Sequence, residues 1–86
     1  MSYEVEFTPL GIDSLQISPS NIQDRILRKI RWLSENFEDI THQSLSANLS
    51  GLFKLRVGDY RVVYSFDVAS QLLTIHKIGH RRDVYE

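Results

Sequence analysis

Eighty-six residues without a cysteine and with a formal net charge of −1 exclude a disulfide framework, a thiolate nucleophile and a cysteine-based zinc site. No apolar run approaches the roughly 20 residues of a membrane span, and the acids Glu4 and Glu6 stand where a secretory leader would carry lysine or arginine. The expectation is one cytoplasmic domain over residues 1–86, short for burying a large core.

Taken in chain order, Tyr3, Val5 and Phe7 alternate with Glu4 and Glu6, which reads as a half-buried strand. Thr8-Pro9 fits an N-cap followed by proline at the first helical position, and Leu10, Ile12 and Leu15 would form the inner face of a short helix. Gly11 weakens that helix. A second helix is signposted by Ser18 as N-cap, Pro19 at the first helical position and Ile17 placed to staple against Ile22. Along it Ile22, Ile26, Ile30, Leu33 and Phe37 recur at the 3.6-residue period, within about a quarter of the circumference. Leu27 and Trp32 flank this stripe on opposite sides, and Trp32 lies one turn after Arg28. Residues 38–50 form a polar, serine-rich connection in which Leu45 and Leu49 could anchor one more helical turn.

Residues 53–57 alternate strictly, with Phe53, Leu55 and Val57 on one side and Lys54 and Arg56 on the other. Gly58-Asp59 supplies a tight turn of undecided type, and the apolar run 60–66 completes an antiparallel hairpin. If the apolar faces coincide, Arg61 joins Lys54 and Arg56 on the opposite side. A polar break at 67–71 leads to a third apolar run, 72–78, ending at Gly79 and the cationic tail His80-Arg81-Arg82. The order strand, helix, helix, strand, strand, strand implies an α+β fold in which two helices pack on one face of a small, mostly antiparallel sheet. The other face would stay open and basic.

The net charge hides an asymmetry. Residues 1–44 hold four Lys or Arg against seven Asp or Glu, while residues 45–86 hold six against four. Binding to phosphates depends on local clusters more than on net charge, so a nucleic-acid partner stays open.

The run Phe53-Lys54-Leu55-Arg56-Val57-Gly58-Asp59-Tyr60-Arg61-Val62-Val63-Tyr64, followed by Ile78-Gly79-His80-Arg81-Arg82-Asp83-Val84-Tyr85, closely resembles the RelE branch of the RelE/ParE superfamily of bacterial and archaeal toxins. The resemblance implies a RelE-like fold and the toxin of a type II toxin-antitoxin pair, an mRNA endoribonuclease acting in the ribosomal decoding (A) site. An antitoxin encoded beside it would wrap and neutralise it. The family's functional residues fall on Lys54, Arg56, Arg61, Arg81 and Tyr85. Arg56 replaces a lysine of the best-known pattern, and His80 stands where relatives carry a lysine.

The chemistry of these side chains agrees with that implication. Metal-independent RNA cleavage needs a base for the 2′-hydroxyl, in-line positioning, cations on the pentacovalent phosphate and an acid for the departing 5′-oxygen. Lys54 is a candidate base. Arg61 and Arg81 can fork onto phosphate oxygens, and either of them, or His80, could assist the leaving group. Tyr85 could stack on a base or orient the 2′-hydroxyl. No cofactor or metal is called for, and the scattered acids Asp59, Asp67, Asp83 and Glu86 offer no cation site.

Two other functions stay open, a ParE-like toxin of the same fold acting on DNA gyrase and a noncatalytic RNA- or partner-binding module, but the set Lys54, Arg56, Arg61, Arg81 and Tyr85 favours the nuclease, since gyrase inhibition needs no base or phosphate clamp. Alternating basic residues on a strand are commonly a solvated face, and Glu4 or Glu6 could pair with Lys54 or Arg56 across the sheet. Tyr60 and Tyr64 read as core-facing aromatics, and His42 and His76 as structural.

Overall fold

The computed structural model describes residues 2–45 and 51–80. Its elements are β1 (Glu4–Phe7), α1 (Pro9–Gln16), α2 (Ser20–Glu35), a 3-10 turn at Phe37–Asp39, β2 (Gln43–Ser44), β3 (Phe53–Val57), β4 (Tyr60–Asp67) and β5 (Leu72–His80). They build a sheet of order β1-β5-β4-β3-β2, in which β1 runs parallel to β5 and the other neighbours are antiparallel. The expected α+β arrangement of two helices on a mostly antiparallel sheet is what forms. A two-residue strand, β2, forms within the polar connection, while the helical turn expected between Leu45 and Leu49 falls on residues that, past Leu45, lie outside the described ones. Glu4 and Glu6 do not meet Lys54 or Arg56, because β5 and β4 separate β1 from β3.

The core forms where the stripe of α2 meets the sheet. Ile26, Ile30 and Leu33 are buried against Val57, Val62, Tyr64, Leu73, Ile75 and Ile78, with Ile22 packed at the margin. Fully burying one such aliphatic side chain contributes about 1.5–3 kcal/mol. Phe37 joins them from the 3-10 turn beyond the end of α2. His42 ties this turn to the core. Its Nε2 lies 2.9 Å from the Phe37 carbonyl, which can only accept, so Nε2 carries the proton and Nδ1 accepts from the Tyr64 hydroxyl at 2.6 Å.

The hairpin resolves the turn at Gly58. Its φ is +59° while Asp59 is not in the positive region, the pattern of a type II′ turn, whose first central position favours glycine. Phe53, Leu55 and Val57 stand opposite Tyr64, Val62 and Tyr60, so the apolar faces coincide as the alternation requires.

Both helices begin or pack differently from the sequence expectation. Thr8 does cap α1, accepting from the Gly11 amide at 3.0 Å, with Pro9 in the first turn. The inner face of α1, however, is made by Gly11, Ser14 and Leu15, whereas Leu10 (57% exposed) and Ile12 (43%) face outward. The reason lies in the edge of β5. β1 pairs with that edge only as far as Ile75, and α1 covers the remainder, with Ser14 Oγ accepting from the Ile78 amide at 2.9 Å. Such an approach of helix to strand needs small side chains. In α2 the cap position is Pro19 and the helix starts at Ser20, one residue later than expected, with no side-chain cap. Ser18 is engaged elsewhere, donating to the Ser14 carbonyl at 3.0 Å, and Ile17 is 86% exposed, so it does not staple onto Ile22.

Candidate functional site

The meander β3-β4-β5 sets the predicted basic residues in two cross-strand rows on the face away from the helices. One row is Arg56, Arg61 and Gly79; the next is Lys54, Val63 and Lys77. Directly opposed residues of an antiparallel pair hold their β-carbons about 4.5–5.5 Å apart, so Arg56 and Arg61 are immediate neighbours. Gly79 places no side chain on the other flank of Arg61.

Three of the predicted residues, Lys54, Arg56 and Arg61, are therefore brought together. Their exposure is unequal. Arg56 is exposed and Lys54 half-buried, but Arg61, expected on an open surface, is only 5% exposed and donates from Nη1 to the Tyr60 carbonyl at 3.3 Å. Arg61 sits on β4, between β3 and β5 and away from the sheet's edges, whereas Arg56 lies on β3 near the edge. The face is also less open than expected: Val63 is buried in a small second cluster with Leu45 and Leu52, residues that flank the chain between β2 and β3.

His80 takes a different place. It stands opposite Tyr60, with the two rings edge-to-face at 5.6 Å, and strand alternation puts both on the helix side, away from Arg61. Arg81 and Tyr85 lie outside the described residues.

The sequence reading missed Lys77. A register shift between Val63 and Tyr64 leaves His76 as an extra residue on β5, which puts Lys77 opposite Val63 and in line with Lys54. The signal was present: Leu73 and Ile75 are spaced by two, but the next buried residue, Ile78, comes after three. His76 is used structurally at this bulge, with Nε2 2.7 Å from Ser65 Oγ.

A strand-borne group of Lys54, Arg56, Arg61 and Lys77 can grip an anion, and the strand-helix-helix-meander frame that carries it is specific enough to compare with known proteins. Residues 5–85 match the family described as the ParE toxin of type II toxin-antitoxin systems, parDE. The chain belongs to that family. Among solved structures, the toxin is similar to a chain of the toxin-antitoxin complex RelBE2 from Mycobacterium tuberculosis, at 27% identity and a TM-score of 0.84, over 96% of this chain and 95% of that one. It is also similar to a chain of the archaeal RelE-RelB complex from Pyrococcus horikoshii OT3, at 26% identity and a TM-score of 0.70, over 96% and 99% of the two chains. The isolated Escherichia coli RelE toxin shares the fold, with a TM-score of 0.76 at 14% identity over 92% of this chain and 84% of that one. These neighbours put the toxin in the RelE-like branch of the RelE/ParE superfamily. A search of curated proteins by sequence finds no match.

Proposed function

We propose that this toxin is a ribosome-dependent mRNA endoribonuclease that halts translation, acting as a single domain over residues 1–86 in the cytoplasm. The observation that carries the reading is the direct opposition of Arg56 and Arg61 in one cross-strand row, with Lys54 and Lys77 in the next. Like charges placed directly opposite each other in a sheet are destabilising, a cost that a phosphate between them would offset. In this reading the substrate's 2′-hydroxyl attacks the adjacent phosphorus, its proton passes to Lys54, and the bond from phosphorus to the 5′-oxygen breaks. The products are a 2′,3′-cyclic phosphate and a 5′-hydroxyl. Arg56 and Arg61 stabilise the charge that builds on the phosphoryl oxygens. Arg81 and Tyr85 complete the site, one on the phosphate and one orienting the ribose or stacking on a base. The helix-side position of His80 favours Arg61 or Arg81 over His80 as the group that assists the leaving oxygen.

The partners follow from the same reading: mRNA in the ribosomal A site, and a cognate antitoxin encoded beside the toxin, as the antitoxin-bound neighbours suggest. The chemistry calls for no cofactor. Pulse labelling after the toxin is produced without its antitoxin tests the reading. Leucine incorporation should stop before thymidine incorporation falls. Thymidine incorporation collapsing first would replace the nuclease with a gyrase inhibitor, and no effect on either would leave a noncatalytic binding module.

A further inference from the structure

We infer that a second basic surface, the groove between α2 and the free edge of β3, binds the phosphate backbone of an RNA strand. The inference rests on the reading of this toxin as one that acts on RNA. The groove has a volume of about 540 Å³ and is lined by Arg25, Arg28, Lys29 and Trp32 from α2 and by Arg56 and Gly58 from the hairpin. It exists because β2 is short: β2 pairs only with Phe53 and Lys54, so among the described residues no strand pairs with the edge of β3 beyond Lys54, beside the helix.

Four cations and the only tryptophan of the sequence meet there. On α2 they occupy positions i, i+3, i+4 and i+7, one stripe along roughly 10 Å of helix. Among the described residues none of Arg25, Arg28, Lys29 and Arg56 is in an ion pair, whereas Arg31, outside this stripe, reaches Glu35 at 3.7 Å. No acid lines the groove among the described residues. The cations are also held in place. Arg25 lies against the hairpin turn, so that a β-carbon at Gly58 would stand 3.1 Å from its Nη2, and Lys29 Nζ sits 3.9 Å from the centroid of the Trp32 ring.

This composition selects a nucleic-acid strand over an acidic peptide. Arginine forks match phosphate oxygens, and a 41%-exposed indole offers a flat surface on which an unpaired base can stack, a contact that carboxylate side chains cannot make. Arg56 belongs both to this groove and to the row containing Arg61, so an RNA strand gripped at the candidate cleavage site has a continuous cationic path from β4 across the edge of β3 to α2. The groove would thus supply binding energy away from the scissile bond.

Because Trp32 is the sole tryptophan, its fluorescence reports on the groove directly. The test is a titration of the full toxin with an all-2′-O-methyl RNA strand, which cannot be cut because it lacks the 2′-hydroxyl. The expected result is a saturable change in Trp32 emission, with an affinity that falls as salt rises. The double variant Arg25→Gln/Arg28→Gln should bind about 10-fold or more weakly, with a salt slope shallower by about 1.4, the release expected for two phosphate contacts on a single strand. Both positions are exposed, and a thermal melt of the variant verifies that it is folded. Emission unchanged by RNA, equal binding by wild type and double variant, or an equal response to polyglutamate would each overturn the groove as an RNA site. The readout is binding and not cutting, so the two readings fail separately. RNA-dependent change at Trp32 without any cleavage on ribosomes sinks the nuclease, and cleavage without that change sinks the groove.

Discussion

Gly11 of α1 lies so close to Ile75 of β5 that a β-carbon at Gly11 would overlap the Ile75 carbonyl oxygen. That oxygen belongs to rigid strand backbone and already accepts from the Thr8 amide at 3.0 Å, so it cannot move aside cheaply. Gly11→Ala should therefore destabilise the toxin, although alanine gains about 1 kcal/mol over glycine in helix propensity. Overpacking of this kind costs about 1–3 kcal/mol, and for a domain of this size each kcal/mol moves Tm by about 4–8 °C. A melt of Gly11→Ala showing a Tm equal to or above wild type would mean that α1 can lift off β5.

Arg56 and Arg61 should separate in stability while sharing a functional defect. Arg56 is exposed, so Arg56→Ala should change stability by about 0.5 kcal/mol or less. Arg61 is buried, and Arg61→Ala removes a packed stem as well as a charge, for a loss of about 1–3 kcal/mol. Both should lower cleavage on programmed ribosomes about 100-fold or more, the usual effect of deleting one contact to transition-state charge. Arg61→Lys keeps charge and stem but loses the planar fork, and should recover most of the stability with little of the rate. Primer extension on ribosomal complexes, beside melts of each variant, reads both quantities. A variant that keeps the wild-type rate removes that arginine from the site.

How much of this could be read from the sequence depends on whether one period controlled the outcome. The stripe from Ile22 to Leu33 and the alternation of residues 53–57 each keep a single period, and both the helix-sheet core and the opposition of Arg56 to Arg61 result from them. Lys77 escaped because a bulge changes the phase of β5 between Ile75 and Ile78. The burial of Arg61 escaped because alternation gives the face a side chain occupies and not the neighbours that cover it. On α1 the apolar residues Leu10 and Ile12 pointed the wrong way, since what the β5 edge requires is the absence of a side chain at Gly11 and a hydroxyl at Ser14. Of the stripe Arg25, Arg28, Lys29 and Trp32, the sequence pointed only to Arg28 and Trp32, and the meaning of the whole depends on β2 ending after two residues.

Tyr64 should make the fold sensitive to alkali. Burial pushes its hydroxyl up from 10.0 to about 12, so the folded toxin holds this proton more tightly than the unfolded chain does. The stability linked to Tyr64 is fully present below pH 10 and is lost as pH rises from 10 through 12. Tyr64→Phe removes this titration, and urea midpoints measured across the same range should fall less steeply than those of wild type. Near neutral pH the same change leaves His42 Nδ1 without its 2.6 Å donor and should cost about 1 kcal/mol. Parallel alkaline curves for the two proteins would show that other groups control the loss.

The chemistry of the cut ends distinguishes attack by the substrate's own 2′-hydroxyl from attack by water. On programmed ribosomes the upstream fragment should end in a 2′,3′-cyclic phosphate, or in the 3′-phosphate formed when that ring hydrolyses, and the downstream fragment should begin with a 5′-hydroxyl. Lys54, Arg56 and Arg61 can supply the base and the charge for that route from one face of the meander. Placing a 2′-deoxy nucleotide at the scissile position removes the nucleophile while leaving every phosphate contact in place. Cutting should then disappear although the toxin still binds the ribosome. Lys54→Met, similar in length and without the amine, should depress the rate on the normal substrate more than it weakens binding, because the interaction it deletes is made in proton transfer. Mass spectrometry of the fragments decides the matter: a 3′-hydroxyl end, or undiminished cutting at the 2′-deoxy position, would mean that the nucleophile is not the ribose and that Lys54 is not its base.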